Sequence, residues 1–303
     1  MDINSNIKFS VIIPCFNSSK TISRALGSLL HQSEQNFEVV IVDDASDDLT
    51  ELEQVIAQYA RDISIKFVQN HRNMNAAFSR NKGMNLARGE YIAFLDSDDT
   101  WPSNRLESAV KIIENISDAQ FIIYGQFELI GSHKTGALLP IRGIRRNELV
   151  SEYVFAAGQH MQTSTFILPV GVAKDVLFDE TLSRHQDSDL MMRAQKKGIK
   201  LIFQQEKCAD YYFRPDDLHN RVISGRINSD FCRQWIKVKN HYFSDSASAG
   251  YTLTTFSRVK YMEGHVFQSF KLAISSLTKI GLLNFLDLYK TKMIILYKTR
   301  FGL

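Results

Sequence analysis

The chain has 303 residues, 44% of them hydrophobic and 23% charged, with a net charge of +3. That composition supports a packed core and excludes global disorder, and no run of 18 uncharged apolar residues offers a membrane-spanning helix. Three widely spaced cysteines, Cys15, Cys208 and Cys232, make neither a disulfide framework nor a CxxC metal pattern, which fits a reducing cytoplasm.

Met1-Asp2-Ile3-Asn4-Ser5-Asn6 lacks the basic and apolar blocks of a signal peptide. The first strand is expected at Phe9–Pro14, an apolar run closed by proline. Ser18 or Ser19 caps a helix to about His31, with Ile22, Ala25, Leu26, Leu29 and Leu30 on one face. Phe37–Val42 is the next strand and Leu49–Ala60 the next helix. Ile63–Val68, Ala76–Ala87 and Tyr91–Leu95 continue the alternation as strand, helix, strand. This βαβα rhythm implies a mostly parallel sheet flanked by helices.

Beyond Trp101 the pattern loosens. Arg105–Ile116 reads as a helix, Phe121–Phe127 as a strand and Gly131–Arg146 as a surface loop. Thr163–Leu168 reads as a strand, Asp187–Lys197 as a helix stopped by Gly198, and Lys200–Gln204 as a strand. Phe231–Phe243, Phe256–Leu277 and Leu282–Lys298 read as helices. The expected division is 1–225, with halves of about 1–100 and 101–225, followed by a helical region over 226–303. Charge divides similarly. Residues 226–303 hold 12 Lys and Arg against 4 Asp and Glu, while 1–225 hold 24 against 29.

Ligands of such sheets bind at the carboxyl ends of the strands. Here each of the first four exits carries polar residues: Asn17, then Asp43 and Asp44, then Asn70 and Arg72, then Asp96, Asp98 and Asp99. Three carboxylates within four positions repel one another. A hard divalent cation reverses that, because Mg²⁺ or Mn²⁺ takes one or two carboxylates plus substrate phosphates. The alternative is a solvated acidic turn capping the next helix.

Five ordered blocks carry a resemblance: Ser10-Val11-Ile12-Ile13-Pro14-Cys15-Phe16-Asn17, Val40–Ser46, Ser79-Arg80-Asn81-Lys82-Gly83, Gly89–Asp99, and His185-Gln186-Asp187-Ser188-Asp189-Leu190. Together, across roughly 8–225, they resemble glycosyltransferase family 2. The resemblance implies the GT-A fold, an α/β nucleotide-binding sheet joined to an acceptor-binding half. It matches Asp96-Ser97-Asp98 to the family's DxD motif. Asp98 is then the expected metal ligand, with Asp96 near the ribose or the metal's waters and Asp99 supporting the loop.

The same match puts Pro14, Cys15 and Asn17 along the base and ribose. Asp43 and Asp44 fall at the nucleoside, with Asp44 favoured to accept from a uracil ring N–H; for Asp43 an Asx-turn is the alternative. Arg80 and Asn81 match an Arg-Asn pair that reaches a phosphate or base edge, or else anchors the helix. Asn75 lines the donor pocket.

Asp187 matches the second member of a Glu-Asp pair, with Gln186 replacing the glutamate, and is the candidate general base; a helix N-cap is its alternative. His185 and Asp189 are candidate acceptor contacts. Arg214, His219 and Arg221 resemble a closing segment that reaches the diphosphate, or form a solvated basic loop.

The implied enzyme is a metal-dependent inverting glycosyltransferase using Mn²⁺ or Mg²⁺. It moves a sugar from a nucleotide-diphosphate donor, with UDP favoured, to a saccharide or lipid-linked acceptor, as in bacterial surface polysaccharide synthesis. The basic, aromatic segment Ile280–Phe301 fits a membrane surface at the inner face of the cell membrane, or packing on the catalytic domain, or a homo-oligomer interface. Nucleic acid is not expected. A nucleotidyltransferase would want a glycine-rich basic loop after the first strand, and residues 14–20 offer Lys20 and no glycine. A non-catalytic sugar-nucleotide-binding or scaffold protein would have no need of Asp98 and Asp187.

Overall fold

The computed structural model describes residues 7–131, 136–212 and 227–301. Its elements in chain order are strand β1 (Phe9–Cys15), helix α1 (Ile22–Leu30), β2 (Phe37–Asp43), α2 (Leu49–Tyr59), β3 (Ile65–Gln69), α3 (Ala76–Leu86), β4 (Tyr91–Phe94), α4 (Arg105–Ile113) and β5 (Phe121–Ile130). They continue with β6 (Ala137–Leu139), β7 (Ile167–Pro169), α5 (Val170–Val176), α6 (Gln186–Lys196), β8 (Lys200–Tyr212), α7 (Ser229–Val238), α8 (Asp245–Tyr251), α9 (Ser257–Met262), α10 (Val266–Leu277) and α11 (Leu282–Phe301).

The chain divides into two compact units. One gathers the described residues of Met1–Glu128, Gln162–Leu190 and Lys197–Tyr212, the other those of Leu129–Met161, Met191–Lys196 and Phe213–Leu303. In the first unit the strands run in the order β3-β2-β1-β4-β7-β5, and β8 pairs with β5. The β1–β2, β2–β3 and β1–β4 pairs are parallel, and β4–β7 and β5–β7 are antiparallel. Every residue of β1 and β2 is buried, which is why both read as continuous apolar runs. Register brings Cys15, Asp43 and Gln69 level at the strand ends.

Helix α3 lies very close to the sheet. A Cβ on Gly83 would sit 2.5 Å from Ile12 Cγ2 and 3.5 Å from Val42 Cγ2, so glycine is what lets this helix approach. Its buried residues include Ser79, Arg80 and Asn81, polar groups that amphipathic periodicity would place outside.

Several elements differ from expectation. Thr163–Thr165 is a 3-10 turn and the strand begins at Ile167. Gln162 caps that turn by accepting from Ser164 N, and Thr165 Oγ1 donates to Gln162 O at 2.7 Å; short polar side chains that bond the local backbone in this way compete with strand pairing. The expected helix Phe256–Leu277 is interrupted: α9 ends at Met262, Gly264 takes φ 85°, and α10 begins at Val266. A left-handed glycine just past a helix is a common stop. The expected loop 131–146 contains β6, and β8 extends well beyond Gln204 to Tyr212.

The second unit is built around aromatic side chains. Phe155, Trp235, Phe243 and Tyr251 meet with ring centroids 5.1–5.4 Å apart for most pairs, in the offset and edge-on arrangements such rings prefer. Leu288 of α11 joins Ala156, Ala249 and Ile280 in a buried cluster beside them.

Candidate active site

The exits of β1, β2, β3 and β4 are joined by hydrogen bonds within the first unit. Asp44 N donates to Cys15 O at 2.8 Å, Asn70 N to Asp43 O at 2.8 Å, and Leu95 N to Ile12 O at 3.1 Å. Asn17, at φ 51°, accepts from Asp47 N at 2.8 Å through its side chain, and its own N–H donates to Ser46 Oγ at 2.8 Å. Ser97 Oγ lies 2.8 Å from Ser18 Oγ. Pro14 and Cys15 are buried beneath this edge, and burial, reinforced by Asp43, pushes the Cys15 thiol well up. A thiol held protonated in this way is inert.

Both β2 carboxylates brace turns. Asp43 accepts from Ser46 N at 3.1 Å and from the Ser46 hydroxyl, which is the Asx-turn alternative. Asp44 Oδ1 accepts from Asn70 Nδ2 and Met74 N, both at 2.8 Å, and Oδ2 from Asn75 N at 2.8 Å. Asn75, at φ 79°, caps α3 by accepting from Ala77 N and Phe78 N. Its amide donates to Glu180 O at 2.7 Å, so the polar atoms expected to face a donor are engaged in holding the loop.

Arg80 is the hub. It is 6% exposed; Nη2 donates to Asp96 Oδ1 at 2.6 Å and Nη1 to Gln186 Oε1 at 3.0 Å. The guanidinium also lies 5.3 Å from the Phe178 ring centroid. Arg80 thus joins the acidic turn after β4 to the start of α6, rather than standing ready for a phosphate. Asn81 anchors α3: it exchanges hydrogen bonds with the Phe178 backbone at 2.8 and 2.9 Å and donates to Glu180.

In the acidic turn, Asp96 and Asp98 are partly exposed and Asp99 is fully buried. Asp99 accepts from Ser164 Oγ at 2.6 Å, Gln162 Nε2 at 3.0 Å and Tyr212 N at 3.3 Å. Burial pushes its carboxyl well above the usual range, and the charges of Asp96 and Asp98 push it further. That like-charge crowding, which the Arg80 pair and the donors to Asp99 relieve only in part, fits a hard divalent cation in an all-oxygen donor set. Among the described residues no three His, Cys, Asp or Glu side chains converge as a cage. Asp98 and Asp96 therefore suit a cation that takes most of its ligands from substrate oxygens and water.

Asp187 stands in the first turn of α6 and accepts from Ser188 N at 2.7 Å. Desolvation raises its carboxyl pKa, partly offset by that bond and by the charges of Arg80 and Arg184. A raised carboxyl is better matched to accepting a proton near neutral pH. Asp189 is fully buried and His185 is partly exposed at φ 63°. Arg214, His219 and Arg221 lie outside the described residues.

Sequence reasoning missed Ser164, Gln162 and Arg24. Arg24 reaches Asp98 O and lies 3.6 Å from the Tyr212 ring centroid. Ser164 Oγ accepts from Asp96 N at 3.0 Å as well as donating to Asp99. None belongs to an acidic or basic pattern, so only proximity in the fold marks them.

Residues 10–157, which carry the strand exits and the acidic turn, match glycosyl transferase family 2. The amylovoran biosynthesis glycosyltransferase AmsB of Erwinia amylovora is 37% identical over 211 residues, 68% of this chain and 70% of that protein. The UDP-Glc:alpha-D-GlcNAc-diphosphoundecaprenol beta-1,3-glucosyltransferase WfgD of Escherichia coli is 35% identical over 144 residues, 46% of this chain and 54% of that protein. The chain thus spans about half the length of WfgD.

Two solved structures share the GT-A fold at lower identity. S. aureus TarS 1-349 in complex with UDP-GlcNAc has a TM-score of 0.62 at 22% identity, covering 97% of this chain and 85% of that one. The Pyrobaculum calidifontis mannosyltransferase PcManGT in complex with GDP-Man and Mn²⁺ has a TM-score of 0.60 at 15% identity, covering 96% and 81%. The match to AmsB over more than two thirds of both proteins, together with the family match over residues 10–157, means that this chain belongs to glycosyltransferase family 2.

Proposed function

We propose that the chain is an inverting glycosyltransferase that moves a sugar from a UDP-linked donor to a saccharide acceptor carried on a lipid diphosphate, in bacterial polysaccharide synthesis. The observation that carries this is the Arg80 bridge, which ties the acidic turn at Asp96 to Gln186, next to Asp187, inside one unit. The activities of the relatives support the substrate classes: WfgD uses UDP-Glc and a diphosphoundecaprenol acceptor, and AmsB acts in amylovoran biosynthesis. Nucleotide-sugars are made in the cytoplasm, so the reading puts the reaction at the cytoplasmic side of the membrane.

In this reading Asp187 takes the proton of the acceptor hydroxyl. As that oxygen bonds to the anomeric carbon, the bond from the anomeric carbon to the diphosphate oxygen breaks on the opposite face. The nucleotide diphosphate leaves with the electron pair, and the configuration inverts. Arg80 holds Asp96 and the start of α6 in fixed relation, so that the base and the acidic turn address the same substrate. Asp98, with Asp96, would hold Mn²⁺ or Mg²⁺, and the cation would supply positive charge to the leaving diphosphate. Asp44 Oδ2 accepts one bond and retains capacity for a uracil ring N–H. Ser97, Asn17, Pro14 and Cys15 form the wall behind the nucleoside, and the partly exposed His185 flanks the acceptor side, whereas Asp189 is buried and does not face it.

A thermal-shift series of UDP-, GDP- and dTDP-sugars with and without Mn²⁺ tests the donor, because a ligand bound to the native state stabilises it by mass action. UDP-sugars are expected to raise Tm only with the metal present. A GDP- or dTDP-sugar acting alone would overturn the UDP assignment, and retention of anomeric configuration in the NMR spectrum of the product would overturn the single displacement.

A further inference from the structure

Helices α10 and α11, both in the second unit, leave large apolar faces uncovered. On α10, Phe267 is 82% exposed and Phe270 65%; on α11, Leu282 is 73% exposed. At 3.6 residues per turn, Leu282, Leu286, Tyr289 and Met293 of α11 fall within about 60° of one another, with Leu288 and Thr291 on the other side. Leu288 and Thr291 are buried, and that side is the helix's anchor. Thr291 Oγ1 accepts from Gln159 Nε2 at 2.9 Å, and Asp287 pairs with Arg142 at 2.9 Å and Arg145 at 2.8 Å.

The charge of this face is one-sided. Residues 266–301 contain six Lys and Arg and one carboxylate, Asp287. Asp287 is turned inward into its arginine pairs, while Lys271, Lys279 and Lys290 are exposed. Large apolar side chains left exposed in number on two successive helices mark an interaction site. Among the described residues no helix is long and apolar enough to cross a membrane, and the apolar residues form a stripe along each helix rather than a sleeve around it.

We propose that the outward faces of α10 and α11 dock on an anionic lipid surface. The aromatic and aliphatic side chains enter the interfacial layer and the lysines stay at the level of the lipid phosphates. Charge selects this occupant over a second copy of the chain: a two-fold pairing of this face sets the same lysines against one another with no outward carboxylate to compensate.

Docking needs neither donor nor acceptor, so the test uses the full chain and vesicles alone. Co-sedimentation with phosphatidylcholine vesicles, with and without phosphatidylglycerol, is expected to show binding that requires the anionic lipid and weakens in high salt. The pair Phe267→Ser and Phe270→Ser is expected to weaken it about tenfold or more, with the circular dichroism spectrum unchanged. Lys271→Glu with Lys290→Glu, which leaves the apolar residues in place, is expected to do the same. Failure of the wild-type chain to bind anionic vesicles would overturn the proposal. So would wild-type binding by both pairs, or a dimer in sedimentation velocity that the serine pair dissociates.

Discussion

The two ends of the parallel strands use the same chemical group in opposite ways. At the N-terminal ends, Glu38 is buried and matched. Its carboxylate accepts from Ser10 Oγ and Arg88 N, both at 2.7 Å, and from Arg88 Nε at 2.8 Å, while Gly89 N donates to Ser10 Oγ at 2.9 Å. Burial alone would raise this carboxyl, but the donors from Ser10 and Arg88 hold it below the usual range. At the C-terminal ends, Asp99 is buried beside two further carboxylates and is pushed up instead. Desolvation raises Asp187 too. A carboxylate whose donors are complete contributes stability. Asp99 has three donors as well, so beyond burial it is the like charge of Asp96 and Asp98 that parts it from Glu38 beside Arg88; a turn crowded in this way suits a cation, and a carboxyl raised by burial, as at Asp187, suits a proton.

The sharpest way to break this contrast is Asp187→Asn. It is expected to lower kcat by roughly 10²–10⁴-fold, the usual span for removing a general base, with UDP-sugar affinity within a few fold. Equal loss of affinity in a titration would make Asp187 a binding residue instead. The raised carboxyl adds a sign: the base works deprotonated, so the wild-type rate falls as pH drops, at pH values above the ordinary aspartate pKa of about 3.9. A pH–rate profile flat down to that value would contradict the assignment.

At the other end, Glu38→Gln is expected to cost about 1–3 kcal/mol of stability, because buried donors lose their charged acceptor. Activity per folded molecule should stay near wild type; chemical denaturation and initial rates read the two separately. Asp98→Ala is the smaller test. It should weaken Mn²⁺-dependent UDP binding about tenfold or more, roughly 1.4 kcal/mol. Undiminished metal dependence in calorimetry would remove Asp98 from the metal site.

The finest test is pH. A depressed folded-state pKa gives Glu38 a contribution that is present above the unfolded value of about 4.3 and lost as pH falls through the folded value. The stability gap between wild type and Glu38→Gln should therefore narrow as pH drops below about 4. A constant gap would mean that Glu38 acts by packing alone.

Much of the first unit was legible because its information is local. Buried parallel strands read as apolar runs, and their exits read as polar residues at regular intervals, so Asp43, Asp44 and the Asp96–Asp99 turn announced themselves. Gln186 and Asp187 were singled out by the resemblance of their block to the family, and the fold adds the bond from Arg80 to Gln186. The 3-10 turn at Thr163–Thr165 was not legible, because its cause is the Gln162 side chain and the buried demand of Asp99 for Ser164.

By itself, the sequence determined the alternation of strands and helices, the order of the motif blocks and the basic, aromatic character of the last helices. These follow from side-chain period, composition and spacing along the chain. Only the tertiary structure decided how the polar residues are used. Arg80 became a bridge between residues 16 and 106 positions away, Asp44 and Asn75 became braces of one loop, and Glu38 and Asp99 parted in pKa. The reason is physical: a hydrogen bond or a Coulomb interaction acts over a few ångströms of space, and chain separation carries no information about which donors and charges will stand there.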